Sequence, residues 1–182
     1  MDDAKRAESR VELAALRQEL EDRAGMALAL TLAEEAERAD EVPIGAVVVR
    51  DGVLLGAARN ECRGRREGTA HAELIALGEA FERTGDMRLP GATVYTTVEP
   101  CFMCAGALSH ARVSRVVWAV RDPKFGGCAS LGEVLTDPRL NHRAEIAEGV
   151  HAEEASDRLK SFFRARRSPS RRTNTGPDGA SG

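Results

Sequence analysis

Thr69-Ala70-His71-Ala72-Glu73 and Pro100-Cys101-Phe102-Met103-Cys104 stand 26 residues apart and read His-x-Glu, then Pro-Cys-x-x-Cys. His71, Cys101 and Cys104 offer one imidazole and two thiolates, three donors for a tetrahedral zinc. A structural zinc closes all four positions with protein, whereas a hydrolytic one leaves the fourth to water. Glu73 is not needed as a ligand, which suits a carboxylate that moves protons beside such a water. Residues i and i+2 project about 200° apart on a helix. His71 and Glu73 can therefore share a target only if it lies off a helix tip. The alternative is a structural Cys2His site completed by Cys62, Cys128 or His110, and it leaves the placement of Glu73 unexplained.

Both motifs open a helix just after a strand or loop, and this sets the order of elements around them. Met26, Ala29, Leu30, Ala33 and Ala36 recur at helical spacing, which predicts a helix over residues 25–39 that Val42-Pro43 ends. Residues 44–50 are a β-branched apolar run, the pattern of a buried strand. Asp51-Gly52 is a hairpin signal, so residues 53–60 return antiparallel. After an Arg- and Gly-rich loop at 61–68, a helix spans 70–84, with Thr69 as N-cap and Leu74, Ile75 and Leu77 towards the core. Residues 93–98 form a strand, and Pro100 opens a helix over 101–110. Residues 115–120, with Trp118 as a core residue, form another strand. A Gly-containing loop at 122–130, a short helix at 131–136, a short strand at 144–146 and a helix at 150–167 complete the order. Such alternation makes an α/β fold with parallel strand pairs and helices on both faces, and the hairpin makes the sheet mixed.

The chain has 182 residues, 42% hydrophobic and 30% charged, with a net charge of −3, as expected of a single globular domain. No apolar run approaches the ~20 residues of a membrane helix. The N-terminus is too charged for a signal peptide, so the expected location is cytoplasmic. Cys62 and Cys128 read as small buried residues rather than a disulfide pair. Residues 1–23 are densely charged, with Leu13, Leu16 and Leu20 at helical spacing. They read as an appended mobile segment that Gly25 separates from a domain at 24–167. Residues 168–182 are Ser-, Arg-, Gly- and Pro-rich and read as a disordered tail. Arg164, Arg166, Arg167, Arg171 and Arg172 crowd one end, and the planar guanidinium suits phosphate.

Residues from about 26 to 167 resemble the bacterial tRNA-specific adenosine deaminases, of the zinc-dependent cytidine/deoxycytidylate deaminase superfamily. The resemblance lies in Glu41-Val42-Pro43-Ile44-Gly45-Ala46-Val47, Thr69-Ala70-His71-Ala72-Glu73, Glu99-Pro100-Cys101 with Met103-Cys104-Ala105-Gly106-Ala107, Asn141-His142-Arg143, and Phe162-Phe163-Arg164 with Arg166-Arg167. It implies a cytidine-deaminase-like three-layer α/β/α sandwich with a mixed five-stranded sheet. It also implies a homodimer with one Zn2+ per subunit on His71, Cys101 and Cys104, acting on the tRNA anticodon stem-loop. The reaction it implies is hydrolytic conversion of the wobble adenosine to inosine by a zinc-activated water, with Glu73 as proton shuttle. Asn60 matches the residue that hydrogen-bonds the flipped base, and Asp122 one that contacts the neighbouring ribose. Arg166 and Arg167 match basic residues at the anticodon stem-loop. Two features depart from the family: Glu67-Gly68 stands where Asp-Pro is usual, giving a looser entry to the helix, and residues 1–23 have no counterpart.

The zinc motif is shared by cytosine, guanine and nucleotide deaminases. A deaminase of a free nucleobase or nucleotide is therefore one alternative, and a non-catalytic RNA-binding zinc module another. The choice of tRNA rests on Asn60, Asp122 and the Phe-Phe-Arg segment, and Phe125 could add a stacking surface beside Asp122.

Overall fold

The computed structural model describes residues 3–167. Its elements are α1 (Asp3–Arg38), β1 (Gly45–Arg50), β2 (Val53–Arg59), α2 (Cys62–Arg65), α3 (Ala72–Thr84), β3 (Thr93–Val98), α4 (Phe102–His110), β4 (Arg115–Val120), β5 (Glu145–Glu148) and α5 (Ala152–Arg167). The expected tail at 168–182 lies outside the described residues.

The five strands form one sheet in the order β2-β1-β3-β4-β5. β1 pairs antiparallel with β2 and β3, while β3–β4 and β4–β5 are parallel. Asp51 and Gly52, at φ 53° and 76°, make the tight β1–β2 turn in the left-handed region. Because strand side chains alternate, the paired rows Val48, Val94, Val116 and Val47, Tyr95, Val117 face opposite sides. The first row packs with Ala72, Ala76, Leu77 and Ala80 of α3 and with Ala105 and Leu108 of α4. The second packs under Met26, Ala29 and Leu30 of α1 and Ala155 of α5. Burial of a side chain such as Leu77 or Leu108 contributes roughly 1.5–3 kcal/mol. The result is the expected three-layer α/β/α sandwich with a mixed five-stranded sheet. Trp118 is fully buried in the α3/α4 layer, as expected of a core residue.

The sequence reading of local structure needs four corrections. Helix α1 runs unbroken through Gly25, and its turn just before Gly25 is tied to the sheet. Asp22 is buried, and its carboxylate accepts from Arg115 Nη1 at 2.5 Å and Nη2 at 2.9 Å, from Tyr95 Oη at 3.2 Å and from Gln18 Nε2 at 3.0 Å. Gly25 is a contact residue rather than a break, since a Cβ there would lie 2.4 Å from the Tyr95 ring. The expected helix at 131–136 is a series of turns and bends closed by bonds such as Val134 N–H to the Gly127 carbonyl. Residues 62–65 form a one-turn helix inside the expected loop. The N-cap of α3 is His71, not Thr69. Small residues at the tip of α3 draw Ala72, Glu73 and Ala76 inward, while Leu74 and Ile75 stay half-buried.

Candidate active site

α3 and α4 both start at the same end of the sheet, and each uses a prospective ligand as its N-cap. His71 (φ −74°, ψ 147°) and Cys101 (φ −67°, ψ 170°) have extended backbones and make no side-chain capping bond. Their side chains are therefore free to point at a common target off the helix tips, where the helix dipole favours negative charge. The Cys101 and Cys104 sulfurs lie 3.7 and 3.4 Å from His71 Nδ1. Sulfur and nitrogen bound to one tetrahedral zinc would stand about 3.6 Å apart. The donor set and its spacing thus fit the ion. Among the described residues, His71, Cys101 and Cys104 are the only such cluster, with donor atoms all within 4.8 Å of one another. Neither Cys62, Cys128 nor His110 joins it as a fourth ligand.

The neighbouring Cys104 pulls the Cys101 thiol down to about 4, against the cost of burial and with help from His71. Cys101 in turn pushes the Cys104 thiol up, and burial adds to the shift. Glu73, at 4% exposure, sits beside Cys104. Burial raises its carboxyl to about 6, and its own backbone N–H and the neighbouring His71 offset only part of the shift.

Two loops flank the cluster, each held by a buried carboxylate. Glu99 Oε1 accepts the N–H groups of Cys128, Ala129 and Ser130 at 3.0, 2.7 and 2.9 Å. Its Oε2 accepts the Asp122 N–H at 3.1 Å and the Ser130 hydroxyl. Burial opposes its ionisation, but the Ser130 hydroxyl and these N–H groups outweigh that and hold the carboxyl below its usual range. A bridge between Cys101 and Gly126 fastens the same loop to the ligand turn. Asp122 Oδ1 accepts the N–H groups of Lys124 and Phe125, which shapes the loop entrance. On the other side, Glu41 holds Asn60 and the N–H groups of Arg63 and Gly64. The Glu61 N–H donates to Ala70 O at 3.0 Å and brings Asn60 next to the His71 turn. Glu67-Gly68 closes without proline, because Glu67 N–H reaches Cys62 O at 2.9 Å and the Thr69 hydroxyl reaches Glu67 Oε1 at 2.8 Å.

Beside Asp122 opens a cleft of about 610 Å³, lined with Val42, Ile44, Leu159 and Phe163 and rimmed by Arg121, Lys124 and Arg167. Phe125, also in its wall, is 67% exposed. Arg166 is otherwise engaged: its guanidinium lies 4.3 Å from the Phe162 ring centroid and bonds both the carbonyl and the carboxylate of Asp40. His110 is exposed at the end of α4, and His142 Nε2–H donates to Val113 O at 2.7 Å, so neither enters the site.

Residues 20–167 match the family model of the MafB19-like deaminases. A tRNA-specific adenosine deaminase of Bacillus subtilis (strain 168) is 43% identical over 144 residues, which covers 79% of this chain and 89% of the relative. The chain belongs to that family. A solved structure from work on A-to-I editing by tRNA:A34 deaminases at the wobble position superposes with a TM-score of 0.71 and 41% identity. The overlap covers 74% of this chain and 98% of that one. A guanine deaminase from Nitrosomonas europaea is more distant, with a TM-score of 0.69 and 25% identity over 78% of this chain and 84% of its own.

In this family member, Glu41 and Glu99 were visible in the sequence only as part of matching segments. A signal for them existed. Each is an acidic residue set against apolar and proline neighbours, in Glu41-Val42-Pro43 and Val98-Glu99-Pro100, and such a charge is seldom buried unless it has partners. The partners themselves lie 19 to 31 residues away.

Proposed function

We propose that this chain hydrolytically deaminates the wobble adenosine of a tRNA anticodon to inosine. The observation that carries the reading is the convergence of the His71, Cys101 and Cys104 donors with the Glu73 carboxylate buried beside them. Zinc held by these three residues would supply the Lewis acidity that makes a water nucleophilic near neutral pH. Glu73 takes one proton of the attacking water and passes it to a ring nitrogen of the base, then takes the second from the hydroxyl added at the ring carbon and delivers it to the amine, which leaves as ammonia. A carboxyl raised by burial towards neutrality suits a group that must both accept and return a proton.

Asn60 hydrogen-bonds the flipped base, and Asp122 contacts the ribose next to it, a natural way to prefer RNA. Arg167 and Lys124 meet phosphate at the mouth of the cleft. Arg166 adds positive charge at the same end, although its guanidinium is anchored on Asp40. The protein acts as a homodimer, which the resemblance implies. An apolar patch at the start of α4, where exposed Phe102 lies against Gly132 beside exposed Leu131, is a surface a second copy could cover. Among the described residues no helix is long and apolar enough to cross a membrane. A tRNA substrate places the work in the cytoplasm.

The test is to incubate the zinc-loaded protein with an anticodon stem-loop carrying adenosine at the wobble position, and separately with free adenine, guanine and cytosine. Mass spectrometry of the digested RNA is expected to show inosine at the wobble position alone, with the free bases unchanged. Deamination of free guanine or cytosine without the stem-loop would favour a nucleobase deaminase. RNA binding with no inosine would favour a non-catalytic zinc module.

A further inference from the structure

The loop after β2 hangs on one side chain. Glu41, 1% exposed, follows the end of α1. Its Oε1 accepts the backbone N–H groups of Arg63 and Gly64, both at 2.7 Å. Its Oε2 accepts Asn60 Nδ2 at 3.2 Å. The backbone of Asn60 is fixed independently, with its N–H on Ile44 O at 2.9 Å. What Glu41 adds is the orientation of the side-chain amide.

A carboxylate is acceptor-only, so the edge of the Asn60 amide that meets it has to be the NH2 group. The carbonyl oxygen is thereby turned the other way, where it accepts the Cys62 thiol at 3.6 Å. An asparagine not so constrained can rotate its amide by half a turn and exchange donor for acceptor. We propose that Glu41 is a positioning residue that fixes the donor–acceptor order of the Asn60 amide, and so sets which base edge the site accepts. Adenine and guanine differ on this point at ring position 6, where adenine carries an amino donor and guanine a carbonyl acceptor, the donating amino group of guanine standing at position 2 instead. A locked amide meets one with complementary groups and the other with like against like. This inference rests on the reading that Asn60 faces the base.

The test is a double-mutant cycle of Glu41→Gln and Asn60→Ala. In Glu41→Gln the new carbonyl can still accept the Arg63 and Gly64 N–H groups, but the new NH2 faces Asn60 and favours the flipped amide. Zinc content and melting temperature are expected to stay near the parent values. KM for the anticodon stem-loop is expected to rise about 10- to 100-fold, in line with one lost base-edge pairing, with kcat changed much less. On the Asn60→Ala background the same substitution is expected to have almost no further effect on KM. Glu41→Asp keeps an acceptor-only group and is expected to stay closer to the parent KM than Glu41→Gln does. If Asn60→Ala leaves KM unchanged, the reading that Asn60 faces the base fails. If Asn60→Ala raises KM but Glu41→Gln does not, or its effect adds in full to that of Asn60→Ala, the positioning role is overturned. A KM for Glu41→Asp above that of Glu41→Gln would overturn it as well.

Discussion

The two faces of the sheet both bury charge and treat it in opposite ways. Under α1, Asp22 is saturated: Arg115 grips it through two nitrogens, and Tyr95 and Gln18 add two further donors. At the tips of α3 and α4, Glu73 is as deeply buried, yet the donors around it do not offset its burial, and its carboxyl is raised to about 6. A buried carboxylate with enough donors is a fastener, whereas one with too few is held ready to take up a proton. The difference lies in the partners each fold position supplies, not in the residue type.

Three experiments would break or sharpen this contrast. Glu73→Ala is expected to lower deamination of the stem-loop about 10²- to 10⁴-fold, while zinc content and stem-loop affinity persist and thermal stability does not fall. A fully active variant, or one that unfolds, would place Glu73 with the fasteners. Asp22→Ala should do the reverse and leave Arg115 buried without its main partner. Chemical denaturation is expected to show a loss of about 3–5 kcal/mol, with the activity per folded molecule near that of the parent. An unchanged midpoint would mean that α1 is not tied to the sheet through this residue.

The smallest effect expected is alkaline. Burial, with Asp22 alongside, pushes the Tyr95 hydroxyl up to about 12 from an ordinary 10. Between these values the unfolded chain has released the proton and the folded chain still holds it. The unfolded state then binds fewer protons, so stability falls as pH rises from 10 to 12. Melting temperatures across this range are expected to drop in the parent and to drop less in Tyr95→Phe. Equal slopes would remove Tyr95 from the network.

Much of the fold could be read locally. The stripe of Met26, Ala29, Leu30, Ala33 and Ala36 marked the buried face of α1, and the β-branched runs marked β1, β3 and β4. Where the reading failed, a distant contact had overruled a local rule. Gly25 looked like a break because glycine weakens helices. It is tolerated because the Tyr95 ring, 70 residues on, occupies the space a Cβ would need. Leu131 to Thr136 looked helical, but the N–H groups of Leu131 and Val134 are taken by the carbonyls of Gly126 and Gly127.

The candidate metal site shows the same division. The sequence alone determined its chemistry: the donor types and the two-residue step from His71 to Glu73 already required a target off a helix tip. Only the tertiary structure decided how Asn60 and Asp122 are presented. Their orientations depend on Glu41 and Glu99, and the loop N–H groups that these carboxylates hold come within reach only once the sheet has formed. A ligand's identity is a property of its side chain. The direction in which a side chain points, and whether its proton stays, depend on which donors the fold brings to it.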